Sequence, residues 1–112
     1  MLKQYIFLPR KMATGKAASQ ACHASLIALR NENVTRFQTW YTGGMCVIVL
    51  EVENTSRLRD VEKYCKDWEI IHHLYNDESE ALKPTCLATG IIKEEDQWMF
   101  SKFKLHGAKN ER

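Results

Sequence analysis

Two side chains near the amino terminus, Lys16 and Gln20, are of types that could do chemistry, and folding alone does not ask for Lys16. With His23, Ile27 and Arg30 they follow one another at spacings of four, three, four and three, so on an α-helix all five emerge along one line. Thr14 offers a hydroxyl to the orphan N–H groups of a helix start, and Gly15 allows a sharp bend into the first turn. Lys16 then falls in that turn, where the helix dipole is positive. A cation there costs roughly a few tenths of a kcal/mol unless an anion is its intended neighbour. These residue types suit the stabilisation of negative charge. The pattern also fits the solvated face of an amphipathic helix, and both readings stand at this point.

The elements that must position these groups are legible in the hydrophobic pattern. Gln4 to Leu8 is a short apolar run that ends at Pro9, which predicts a buried first strand. The helix that follows carries Ala17, Ala21, Ala24 and Ala28 on one stripe, small enough to let its backbone lie close to a sheet. Val34 to Thr42 predicts a second helix closed by Gly43 and Gly44, and Met45 to Val52 a strand covered on both faces. Asn54 and Thr55 cap a third helix in which Leu58, Val61, Cys65 and Trp68 recur at helical spacing. Ile70 to Tyr75 and Pro84 to Ile92 predict two further strands, and Glu94 to Lys102 a last helix before Phe103 and Leu105 dock the tail. Strands alternating with helices imply one α/β domain, residues 1–112, around a four-stranded and mostly parallel sheet. The last strand runs antiparallel, because the eight residues before it are too few for a helical crossover.

In such sheets ligands collect beyond the carboxyl ends of parallel strands. Lys11 and Lys16 follow the first strand and Asp77 follows the third, so a shared edge brings Lys16, Gln20 and Asp77 together. Lys3, Arg10, Lys11 and Lys16 place four cations in the first sixteen residues without an acid among them, which predicts a local basic patch. His23 lies seven residues from Lys16, about 10 Å along a helix, and reads as a structural histidine hydrogen-bonded near the sheet rather than a base. His72 and His73 are adjacent in a strand and point to opposite faces, so no metal site is expected. Ser19 and Ser25 lack a G-x-S-x-G elbow and read as packing residues.

The 112 residues carry 45% hydrophobic and 27% charged side chains and a net charge of +2, ordinary for a soluble domain and too weak for whole-molecule attraction to nucleic acid. No apolar run approaches the roughly 20 residues of a bilayer span. A cytoplasmic protein is expected, with no membrane contact. The four cysteines are scattered without a C-x-x-C pair and read as buried free thiols, and Trp40 and Trp98 read as core residues.

The run from Lys11 to Ala24, K-M-A-T-G-K-A-A-S-Q-A-C-H-A, resembles the start of the peptidyl-tRNA hydrolase family of archaea and eukaryotes, which reads K-M-x-x-G-K-x-A-x-Q-x-x-H-A. The resemblance extends from Gln4 to about Leu105, and the later segments A-T-G-I-I-K-E-E-D-Q and K-F-K-L are nearest to the divergent peptidyl-tRNA hydrolase domain-containing branch. It implies a three-layer sandwich with helices on both faces of the sheet, and cofactor-free hydrolysis of the ester between peptide and tRNA. The functional set it implies is Lys11, Lys16, Gln20 and Asp77, of which Lys16, Gln20 and Asp77 are read as catalytic; by charge, Lys11, Arg10 and Lys3 are read as contacts for tRNA phosphates. Asp77-Glu78-Ser79 stands where the family has Asp-Ala-Gly, and Leu8-Pro9-Arg10 where it has Arg-x-Asp. The alternative on the same fold is a non-catalytic module that binds tRNA or a protein. Monomer and homodimer are both open.

Overall fold

A computed structural model of the chain describes residues 1–77 and 83–107. The chain forms β1 (Lys3–Pro9), α1 (Thr14–Arg30), α2 (Val34–Thr42), β2 (Val47–Val52), α3 (Arg57–Asp67), β3 (His72–Asp77) and β4 (Lys83–Ile92). A short 3-10 helix (Glu94–Phe100) and β5 (Lys104–Leu105) follow. The fold is mixed α/β around one sheet in the order β3-β4-β1-β2-β5.

Two expectations about the sheet are corrected. It has five strands rather than four, because Lys104 and Leu105 pair with Glu51 and Leu50 as a two-residue edge strand that carries no hydrophobic run of its own. It is also mostly antiparallel: only β1 and β2 run parallel, while β4 lies antiparallel to both β1 and β3. Since β4 separates them, β1 and β3 still point the same way. Their carboxyl ends therefore share the edge predicted from the sequence.

Side chains of β1 alternate between two clusters, as the pleat requires. Tyr5 and Phe7 join Leu50, Leu58, Val61, Cys65, Leu87 and Phe100, whereas Ile6 and Leu8 join Ala17, Ala24, Ala28, Cys86 and Ala88. The first cluster is aromatic: the Tyr5 and Phe100 rings stack at 4.4 Å, and Phe103 meets Phe7 edge-on at 4.9 Å. The second is made of small residues, which lets α1 settle close over β4, β3 and β1. Burial pushes the thiols of Cys65 and Cys86 up to about 12, and for Cys65 the nearby Glu62 adds to it. Cys22, in contrast, is exposed and Cys46 half-buried, against the expectation of four buried thiols.

A polar seam crosses this apolar interior. The β1–β4 register shifts between Gln4 and Ile6, a bulge that leaves the Tyr5 N–H without its ladder partner. Thr89 Oγ1 accepts it at 3.0 Å. The fully buried Gln4 donates from Nε2 to the Thr89 carbonyl at 2.9 Å and accepts from Ser25 Oγ at 2.8 Å, so Ser25 holds α1 to the sheet by a hydrogen bond as well as by packing.

Local boundaries differ from the sequence reading where capping chemistry was misjudged. Helix α1 starts at Thr14 itself, with Ala13 as N-cap and no side-chain cap. Gly15 needs no unusual backbone there. Asn33 caps α2 by accepting from the Arg36 N–H. The Glu94–Phe100 segment winds as a 3-10 helix and ends two residues before Lys102. Trp40 is buried and donates from Nε1 to the Cys46 carbonyl at 2.9 Å, whereas Trp98 is 61% exposed, so the core reading fails for Trp98.

Glu32 ties the α1–α2 corner to β4. Its carboxylate accepts from the Ile91 N–H at 2.6 Å, the Asn33 N–H at 2.8 Å and Arg36 Nη1 at 2.9 Å. The approach is possible because residue 90 is glycine: a Cβ there would collide with Glu32 Oε2 and come within 3.0 Å of Ile71 Cγ2. Gly90→Ala is therefore expected to lower unfolding free energy by about 1–3 kcal/mol in urea titrations, because the added methyl would crowd Ile71 and push the Glu32 carboxylate off its hydrogen bonds.

Candidate active site

Helix α1 delivers its polar residues to the sheet edge at which β1 and β3 end. Gln20 is only 6% exposed, so it belongs to the sheet-facing side with Ala17, Ala24 and Ala28 and not to a separate solvated line. A buried primary amide must satisfy both its ends. Nε2 of Gln20 donates to Asp77 Oδ2 at 3.1 Å, and Oε1 accepts from Thr85 Oγ1. Thr85, 1% exposed near the start of β4, also lies 3.5 Å from the Tyr75 carbonyl. The Thr85-Gln20-Asp77 chain thus fixes which way the amide faces and presents its N–H side to a carboxylate.

Lys16, half-buried, precedes Gln20 by one turn on the same helix face. The arrangement joins an ammonium, an amide and a carboxylate at one edge. Such a set can polarise a carbonyl and orient a water molecule.

Thr85 is the residue that sequence reasoning missed. Its signal was present, since a hydroxyl stands between Pro84 and Cys86 in an otherwise apolar strand, where a buried polar group must have a partner. The partner itself lies 65 residues away along the chain. Glu78 and Ser79, which depart from the family motif, lie outside the described residues.

His23 is exposed, and its ring stacks on Tyr75 at 5.1 Å. Among the described residues it makes no hydrogen bond, so stacking and not the expected hydrogen bond holds it. His72 Nδ1 lies 2.7 Å from the Ile70 carbonyl. His73 lies on the opposite side with its ring 6.4 Å from that of Tyr75, and burial, Arg30 and His72 lower its pKa.

The basic residues separate into two places. Arg10 and Lys11 follow β1 at the edge of the site, and both are exposed. Lys3 opens β1 and so lies at the opposite end of the strand, roughly 20 Å away. Arg10 is held by Glu51, a glutamate buried on β2, which accepts from Arg10 Nε at 2.9 Å. Lys104 Nζ lies 3.9 Å from the same oxygen, and the Gly107 N–H donates to the other at 3.3 Å. Burial alone would raise the Glu51 pKa. The bonds from Arg10 and Gly107 and the charges of Lys104 and Arg10 outweigh it and hold the carboxyl below its ordinary value of 4.5.

The family model described as peptidyl-tRNA hydrolase PTH2 matches residues 2–106. Two curated relatives bear the name peptidyl-tRNA hydrolase. That of Methanothermobacter thermautotrophicus is 29% identical over 89 residues, 76% of this chain and 80% of the relative. That of Haloquadratum walsbyi is 30% identical over 90 residues, 77% of this chain and 80% of the relative. Among solved structures, a protein of unknown function from Agrobacterium tumefaciens superposes with a TM-score of 0.60 over 95% of this chain and 98% of its own, at 13% identity, a likeness of fold alone.

The charge cluster on Glu51 has a pH signature. Its folded pKa is depressed, so its contribution to stability is complete above the ordinary carboxylate range and is lost as pH falls through the folded value. The stability difference between the parent and Glu51→Gln is expected to be largest above about pH 5 and to shrink below about pH 4 in urea titrations at a series of pH values.

Proposed function

The chain belongs to the peptidyl-tRNA hydrolase PTH2 family, and from that premise we propose that Lys16, Gln20 and Asp77 hydrolyse the ester between the peptide and the terminal ribose of peptidyl-tRNA. The observation that carries this assignment is the hydrogen bond from the buried Gln20 amide to Asp77, which joins the family's helix motif to the end of β3.

Each group has a role that its position supports. Water attacks the ester carbonyl, and negative charge develops on the carbonyl oxygen. The Lys16 ammonium, fixed on a helix, stabilises that oxyanion by roughly 3 kcal/mol. Asp77 orients the water and takes its proton. The carbon–oxygen bond to ribose then breaks, the proton passes from Asp77 to the ribose oxygen, and tRNA leaves with the peptide acid, which gives its remaining proton to solvent and departs as carboxylate. Gln20, being buried, acts through Asp77 as a positioning residue, and Thr85 positions Gln20 in turn. No cofactor enters this scheme.

Arg10 and Lys11 suit phosphates next to the reacting end. Because Arg10 binds Glu51 through Nε, its two terminal amino groups, without a hydrogen bond among the described residues, are left for a phosphate. Lys3, at the far end of β1, would meet a separate part of the tRNA. The two core clusters support a three-layer arrangement, with α1 on one side of the sheet and α3 with the 3-10 helix on the other. Translation chemistry fits a cytoplasmic location.

Release of peptide from purified peptidyl-tRNA tests the assignment. Lys16→Ala is expected to lose about 100-fold or more in turnover while keeping its circular dichroism spectrum. Thr85→Val keeps the shape but removes the hydroxyl that orients Gln20, and is expected to lose about tenfold in kcat with little change in KM. A folded Lys16→Ala protein that hydrolyses at the parental rate overturns the reading, and tight binding of peptidyl-tRNA by the parent without release points to a binding module instead.

A further inference from the structure

Away from the catalytic edge, at the end of the sheet where β4 finishes and β3 begins, lies a cavity of about 310 Å³. Trp68, just after α3, and Trp98, on the 3-10 helix, form part of its wall, 52% and 61% exposed. Their rings stand nearly perpendicular, at 86° with centroids 6.0 Å apart, as two sides of a corner. Large aromatic rings left this exposed retain apolar area in water, and their faces carry negative potential.

The polar groups of the cavity match that potential. Glu69 and Asp96 both line it, and among the described residues neither carboxylate has a hydrogen bond or ion pair. Glu69 also holds a left-handed backbone, φ 53°, at the end of α3, a position at which glycine would be unstrained. Arg36 is neutralised by Glu32, which leaves Lys93, among the described lining residues, as the one cation against two carboxylates. The same aromatic strip already holds an ammonium: Trp68 adjoins Tyr64, and Lys102 Nζ lies 4.2 Å from the Tyr64 ring centre.

We propose that the corner of Trp68 and Trp98, flanked by Glu69 and Asp96, binds the side-chain cation of a lysine presented by a protein partner, and prefers it methylated. Methylation keeps the charge and adds apolar surface that the rings can cover. The openness of the corner favours a side chain projecting from a larger partner, since sites for free small molecules enclose most of their ligand. This site shares no residue with the hydrolytic one, so each can fail without the other.

Nitrogen-labelled protein titrated with a short peptide carrying one trimethyllysine, and followed at the tryptophan indole N–H resonances, tests the proposal. Saturable shifts of Trp68 and Trp98, with Trp40 unmoved, are expected. The unmodified lysine peptide is expected to bind more weakly, and a peptide with an uncharged tertiary-butyl isostere roughly tenfold more weakly than the trimethyllysine one. Trp98→Ala and Glu69→Gln should each weaken binding while leaving hydrolysis of peptidyl-tRNA at the parental rate. Absence of saturation, equal binding of the uncharged isostere, or undiminished binding by Trp98→Ala overturns the site. Phosphocholine binding as tightly as the peptide overturns the protein partner.

Discussion

A primary amide sealed against a β-sheet has two polar ends and no water to satisfy them, and this constraint on Gln20 governs the catalytic edge. The oxygen must find a donor and the nitrogen an acceptor. Thr85 and Asp77 supply them, so α1 is locked in one register against the neighbouring strands β3 and β4, more than fifty residues further along the chain. Were α1 to rotate by one residue, the amide would lose both partners and Ala17, Ala24 and Ala28 would leave the sheet together. Polar specificity and apolar packing therefore select the same placement of the helix.

That placement gives the two faces of the sheet different work. The face under α1 is lined by alanine and cysteine, which bring a helix close enough for short side chains such as Gln20 and Ser25 to reach β-strand groups. The other face is filled by large rings and supplies most of the apolar burial. Bulk on one side stabilises the sheet, and smallness on the other allows precision at the site.

Much of this was legible in the sequence because it rests on local patterns. The alanine stripe gave the packing face of α1, the apolar run Met45 to Val52 gave β2, and the motif from Lys11 to Ala24 gave the candidate residues. What was not legible depends on contacts across the chain. Lys104 and Leu105 have no strand pattern and become β5 because Glu51 and Leu50 need partners. Trp68 and Trp98 look like core residues by type, yet the aromatic cluster was already complete with Phe7, Phe100 and Phe103. For Gln20 both a solvated and a functional reading stood, because helical spacing cannot say which stripes of a helix the sheet will cover.

The two-residue β5 bears on how the protein behaves in a crowded solution. Strand β2 would otherwise lie at the rim of the sheet, with unpaired amides and carbonyls that template the addition of foreign strands. A stub of two residues covers its carboxyl-terminal half, and Lys104 adds a charge that an incoming backbone would have to desolvate. With Glu51 buried beneath it, this rim discourages fibre-like stacking without the chain length of a full fifth strand. Among the described residues, Val47, 39% exposed, lies at the end of β2 that β5 does not pair.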